Sequence, residues 1–202
     1  MTTTTARRPA RERLLDAAEE LFSERGIAAT GVDAVLRRAG VAPATLYAHF
    51  GGKDALVAAY LQRRHERWRA AWDRALADCG ADPAARAVAL FEALDVFPAQ
   101  PGPARGCAFL AAAVEVVAPD HPAHRWLLED TRLLLDRLHE LAAAAGADDP
   151  AALATELLTL YDGALAARAR RAVTGGARPA PPPVRDLALA AVARHRAAGP
   201  QG

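Results

Sequence analysis

The chain has 202 residues, 25 Lys and Arg against 24 Asp and Glu, and a formal net charge of +1. That length allows one large domain or two small ones, and the near-neutral balance excludes a uniformly basic nucleic-acid coat. Two cysteines, Cys79 and Cys107, exclude a disulfide framework and have no zinc-type spacing.

Alanine, leucine, arginine and glutamate recur at helical spacing, and β-branched runs of period two are missing, so the expected fold class is all-α. Residues 1–8, which open with the threonine-rich stretch Met1 to Ala6, are expected to form a disordered arm. Arg7, Arg8, Arg11 and Arg13 cluster near the start of the chain, so a local basic arm is compatible with a neutral whole. Pro9 can open a first helix whose buried stripe is Leu14, Leu15, Ala18, Leu21 and Phe22, closed by Gly26. Thr30 is placed to cap the second helix, with its hydroxyl also available to a phosphate. Val32, Val35, Leu36 and Ala39 give that helix one apolar face.

Gly40 ends it, because glycine accepts the positive φ of a tight helix-to-helix corner, and Val41 can plug the gap. Pro43 opens a third helix, where its missing N–H costs nothing. Leu46 and Phe50 share a face that packs inward, leaving Ala44, Thr45, Ala48 and His49 outward. A short helix with small and polar residues at its N-terminal end is one that a major groove admits.

The ordered set Leu14-Leu15-Asp16-Ala17-Ala18, Leu21-Phe22, Gly26, Val32 to Leu36, Ala39-Gly40-Val41, Thr45-Leu46-Tyr47, His49-Phe50 and Lys53-Asp54-Ala55-Leu56 resembles the N-terminal domain of the tetracycline-repressor (TetR) family. The resemblance covers residues 11 to 57. Two positions depart from it: Leu36 replaces a small alanine, and Ala42 replaces the usual capping Ser or Thr, a loss of about 1 kcal/mol. The resemblance implies a three-helix helix-turn-helix domain over residues 1–53, joined by a long helix to a ligand-binding and dimerisation domain over 54–202. It also implies that Tyr47 and Lys53 hold phosphates. The plain alternatives are a surface-tipped core aromatic for Tyr47 and a solvated helix start for Lys53.

Base reading then falls to Ala44, Thr45 and Ala48, through methyl contacts with thymine and one hydroxyl. Ala42 and Pro43 complete the DNA-facing set. His49 fits either a phosphate contact or a structural hydrogen bond, and Arg37 and Arg38 read by default as a solvated charged face.

The long helix is expected from about Lys53 to Asp78, with Val57, Leu61, Trp68 and Trp72 on one face. A helix over 84–97 and a Pro/Gly loop over 98–106 follow. Residues 107–117 are apolar on nearly all sides, which predicts a central, buried helix. Asp120-His121-Pro122 reads as the next start, with Leu127, Thr131, Leu134, Leu138 and Leu141 as its seam. Asp149-Pro150 starts a helix to about Val173 with two apolar seams, Leu153, Leu157, Leu160 and Ala164 on one and Leu158, Tyr161 and Leu165 on the other. One seam can face the core and the other a partner subunit. After a loop over 175–183 comes a last helix, 184 to about 196. The family resemblance implies that the helices around 150–173 and 184–196 make a four-helix bundle across a homodimer.

Candidate effector walls are Trp68, Trp72, Phe91, Phe109, Leu110, Trp126, Leu127, Leu134 and Tyr161, with Thr131 and Asp162 as polar anchors. Aromatics at helical spacing are more often plain core, which is the default reading of each wall residue. Cys107 reads as an inert buried thiol rather than a sensor, and His121 and His124 as surface residues, so no metal and no cofactor are expected. The expected partners are double-stranded DNA, a second copy and a small-molecule effector. No leader and no apolar run of roughly 18 residues is visible, so no membrane partner is expected and the place of action is the cytoplasm. The competing function class is a helical binding protein or enzyme without a DNA role. Against it, there is no phosphate-cradling glycine loop and no nucleophile–base motif.

Overall fold

The computed structural model describes residues 8–97, 107–174 and 184–197. Most of the expected N-terminal arm, including Arg7, and the loops expected over 98–106 and 175–183 lie outside the described residues. The described chain is helical, without strand: α1 (Ala10–Arg25), α2 (Val32–Ala39), α3 (Pro43–Phe50), α4 (Lys53–Asp78), α5 (Pro83–Val96), α6 (Ala108–Glu115), α7 (His124–Ala144), α8 (Pro150–Thr174) and α9 (Val184–Ala197).

Two compact units share these helices. One comprises Met1–Arg63 with Gln100–Leu127, the other Arg64–Ala99 with Leu128–Gly202. Compactness thus divides α4 after Arg63, not at the expected 53/54 boundary, and places α6 with the helix-turn-helix.

In the first unit, Leu14, Leu15, Ala18, Leu21, Val35, Leu46, Leu56, Val57 and Leu61 are buried in one core. The α2–α3 corner forms as its residues dictate. Gly40 sits in the left-handed region at φ 62°, its N–H donating to the Leu36 carbonyl at 2.9 Å. Arg13 crosses to this corner and donates to the carbonyls of Ala39 at 2.8 Å and Gly40 at 3.0 Å, so it caps α2 instead of joining a free basic arm. Arg8 pairs with Asp16 and Arg11 with Glu12, so these cations are also engaged within the unit. Arg63 joins α4 to α1. Its guanidinium donates to Asp16 at 2.8 Å, Glu19 at 2.5 Å and the Leu15 carbonyl at 2.8 Å.

Three expectations change. Thr30 does not cap α2: Gly31 is the N-cap, and the Thr30 hydroxyl donates to the Gly26 carbonyl at 2.6 Å. At 1% exposure that hydroxyl does not face a phosphate. The turn is one residue longer than the capping pattern assumes, which turns the side chain inward.

α6 is not buried on all sides. Ala108, Phe109, Ala112 and the following Val116 face the core, while Leu110, Val114 and Val117 are exposed. Alanine-rich sequence hides amphipathicity, because a run of small apolar residues satisfies either environment. α7 starts at His124, not at Asp120. His121 instead closes the preceding turn, its Nδ1 accepting the Ala123 N–H at 3.0 Å.

In the second unit, Leu153, Leu157, Ala164, Tyr161 and Leu165 of α8 are all buried, and Leu158 and Leu160 are half-buried. Core-facing residues therefore come from both predicted seams. α9 pairs with α8 through Glu156, which accepts from His195 Nε2 at 3.1 Å and from Arg194. Among the described residues no helix is long and apolar enough to cross a membrane.

Candidate nucleic-acid interface

The third helix has one buried residue, Leu46, and that fixes which face remains outside. Ala42, Pro43, Ala44, Tyr47, Ala48 and His49 are exposed, and Thr45 is half-buried. Tyr47 is 58% exposed, so its ring is not the core aromatic of the plain alternative. Ala42 is the N-cap with extended backbone and offers no capping side chain. In the first turn of α3 Pro43 has no N–H and the Thr45 N–H donates to the Ala42 carbonyl at 3.0 Å, which leaves the Ala44 N–H as the donor suited to a phosphate oxygen.

Lys53, at the first position of α4, is half-buried and donates from Nζ to the Ala28 carbonyl at 3.3 Å. That bond is long for an ammonium donor and leaves two N–H groups over. Arg38 is held by Glu20 at 2.5 Å and Glu24 at 3.7 Å, which agrees with the solvated charged face read by default. Arg37 is exposed on the same helix. His49 lies beside Phe50, ring centroids 6.3 Å apart, and Arg11 covers the Phe50 ring at 5.4 Å.

This arrangement can admit a duplex. Alanines let the backbone approach base edges, Thr45 offers a hydroxyl, and Tyr47 and Lys53 flank the reading helix with donors for phosphate. Two substitutions separate the donors. Tyr47→Phe should weaken DNA binding about fivefold, one ordinary hydrogen bond, with the salt slope unchanged. Lys53→Met should lower the slope of log K against log salt by about 0.9. Anisotropy titrations over a salt series check both.

The candidate effector residues divide between the units. Phe109 belongs to the first core, Trp126 and Leu127 pack against it, and Leu110 is exposed. In the second unit Trp68 touches Trp72 (6.3 Å between ring centroids), Tyr161 (5.6 Å) and Phe97 (5.2 Å). Phe91 and Leu134 are buried in the same unit, Thr131 is exposed and Asp162 is half-buried with its carboxyl pushed up by burial. The indole Nε1 atoms of Trp68 and Trp72 are buried without a hydrogen-bond partner among the described residues.

Two residues absent from the sequence reading stand in this unit. His65 Nδ1 and Asp130 Oδ1 lie 3.4 Å apart, both side chains buried. Burial pushes the Asp130 carboxyl up, opposed by the hydrogen bond and charge of His65 and by the charge of Arg64. The signal was available: His65 precedes Trp68 by three positions on the apolar face, and Asp130 interrupts the seam between Leu127 and Leu134.

Because the folded pKa of Asp130 exceeds its unfolded value, folding holds a proton that the unfolded chain has released. This contribution is favourable at low pH and is lost as pH rises through the folded pKa. Asp130→Asn removes it, so the stability of the variant relative to the wild type should improve from pH 4 upward. Urea unfolding at several pH values checks the sign.

Cys79 donates to Glu92 at 3.1 Å, and burial, then that hydrogen bond, pushes the thiol up to about 11, which makes it unreactive. Cys107, half-buried, is the N-cap of α6. Among the described residues no group of three His, Cys, Asp or Glu side chains is arranged for a metal ion.

Residues 14–60 match the family described as "Bacterial regulatory proteins, tetR family". The transcriptional regulator UidR of Escherichia coli K12 is 40% identical over 63 residues, which is 31% of this chain and 32% of that protein. The transcriptional activator FasR of Mycolicibacterium smegmatis is 49% identical over 53 residues, 26% of this chain and 24% of its own. These matches span about a third of the curated relatives or less. A solved TetR-family transcriptional regulator from Streptomyces coelicolor is similar along its length, with 34% identity, 93% of this chain and 94% of that one covered, and a TM-score of 0.76. The outward reading helix, the corner that sets it and a match along almost the whole chain agree, and the chain belongs to the TetR family of transcriptional regulators, which are not enzymes.

Proposed function

We propose that the chain binds a roughly palindromic DNA operator as a homodimer in the cytoplasm, represses transcription there and is released by a small-molecule effector. The observation that carries this is the outer face of α3: Leu46 is buried, Phe50 packs against the same core, and the groove-sized residues Ala44, Thr45 and Ala48 lie beside an exposed Tyr47. One such helix reaches only a few base pairs, so useful affinity needs two, and a two-fold axis makes the operator palindromic.

Dimerisation through α8 and α9 is supported by what the monomer leaves uncovered. Leu187 is 45% exposed on α9, and Leu158 and Leu160 are half-buried on α8. Apolar surface at such positions is what a helix-bundle interface covers.

The effector site we assign to the second unit, around Trp68, Trp72 and Tyr161, with Phe91, Leu134 and Asp162 in the same unit. Each buried indole N–H without a partner costs about 1–3 kcal/mol, which an effector bearing acceptor oxygens would recover. Such a ligand regulates only if it binds one orientation of α4 better than another, since equal binding shifts nothing. One relative is named an activator, and a transcription assay on the selected operator tests the direction: added protein that lowers transcript output supports repression, and output that rises overturns it.

The test is selection of DNA fragments by the purified protein from a random pool, followed by sequencing and by measuring the mass of the complex. An enriched inverted repeat bound by two chains supports the reading. An unenriched pool overturns it, and a single enriched half-site bound by one chain overturns the dimer.

A further inference from the structure

The α1–α2 turn is held by a residue that comes from eighty-seven positions further along the chain. Glu115, the last residue of α6, accepts the Ala28 N–H through Oε2 at 2.6 Å. The same residue, Ala28, gives its carbonyl to Lys53 Nζ at 3.3 Å. Beneath them Thr30 closes the turn on the Gly26 carbonyl, so both sides of the turn are bonded.

The turn is shaped to receive the carboxylate. A Cβ on Gly26 would stand 2.9 Å and 3.0 Å from the two Glu115 oxygens, and Gly26 has a φ of +91°, where a side chain is strained in any case. Ala108, Phe109, Ala112 and Val116 belong to the same core as the helix-turn-helix. His121 Nε2 adds a contact of 3.4 Å to Asp54, the neighbour of Lys53.

We propose that Glu115 is a positioning residue for DNA binding, which sets the α1–α2 turn and, through Ala28, the ammonium of Lys53, without touching DNA. The reading head is therefore completed by residues 107–123 and is not self-sufficient within the first sixty. This inference rests on the DNA-binding reading. Wild-type binding to the selected operator is the control: if it fails, that reading falls, whereas the inference is judged only against a wild type that binds.

Charge and position make opposite predictions here. Were Glu115 merely a negative charge near a polyanion, removing it would tighten DNA binding, and Glu115→Ala and Glu115→Gln would both gain affinity. A positioning role predicts that Glu115→Ala loses about tenfold, the scale of a hydrogen bond to a charged group. Glu115→Gln keeps an acceptor oxygen and should stay within about twofold of wild type. Glu115→Asp keeps the charge but retracts it by one methylene, and should fall toward the alanine variant.

The experiment is anisotropy with the selected operator for the full-length wild type and all three variants, with amide hydrogen exchange at Ala28 and Leu46. Loss in Ala and Asp, recovery in Gln, and faster exchange at Ala28 with Leu46 still protected support the proposal. Affinity at or above wild type in the alanine variant, or a glutamine variant as weak as alanine, overturns it. Should the alanine variant not fold, the aspartate and glutamine pair decides the question alone.

Discussion

Leu46→Ala should lower stability by about 2–5 kcal/mol and remove sequence-specific DNA binding, the larger of the effects expected in the reading head. Leu46 is fully buried in an eight-residue helix whose other core contact, Phe50, is only half-buried. A helix that short has no stability of its own in water and persists because it is packed. Truncation leaves a cavity between α3 and the α1–α2 pair, and the reading face loses its fixed orientation. Urea unfolding measures the first effect and operator anisotropy the second. A variant with unchanged midpoint and unchanged affinity would show that α3 is held by something other than Leu46.

Arg63→Met should destabilise the first unit by about 2–3 kcal/mol. Breaking a fully buried pair costs about 3–5, and the lower figure reflects water at one carboxylate. The Arg63 side chain is 12% exposed, as is Glu19, while Asp16 is 29% exposed. Methionine fills the volume but leaves two carboxylates and the Leu15 carbonyl without their common donor. Arg63→Lys should recover only part of the loss, because an ammonium cannot reproduce the fork that reaches Asp16 and Glu19 from different nitrogens. Thermal unfolding of the three proteins tests this; equal midpoints for Met and wild type would mean the carboxylates are solvated well enough to do without the cation.

The two residues show what was legible in the sequence and what was not. Leu46 announced itself by its four-residue spacing from Phe50 and by the glycine and proline that bracket the corner, since each of those constraints is local. Arg63 did not, because a charged residue on a long helix is by default a solvated one, and only folding brings α1's carboxylates to it. The same reasoning separates the other cases. The outward placing of Ala44, Ala48 and His49 followed from helical periodicity, whereas Thr45, expected with them, is half-buried. Thr30 was misplaced by a single residue of turn geometry, and α6 by a run of alanines that fits inside or outside equally.

The walls assigned to an effector divided between two cores because apolar periodicity says that a residue is buried and not in which unit. Glu115 had no signal at all, since its partner is a backbone N–H distant in the chain. His65 and Asp130 had one, a polar residue on an apolar seam, and that pattern is worth reading as a site in other helical chains.

The central claim is that the outer face of α3 reads DNA sequence. Its most direct test is fluorescence anisotropy of the purified full-length protein with the selected operator and with the same bases shuffled, over a salt series. The expected result is nanomolar binding to the operator, binding at least hundreds of times weaker to the shuffled duplex, and a linear salt dependence that Lys53→Met makes shallower. Equal affinity for the two duplexes at moderate salt would contradict it, because contact with phosphates alone cannot tell one sequence from another.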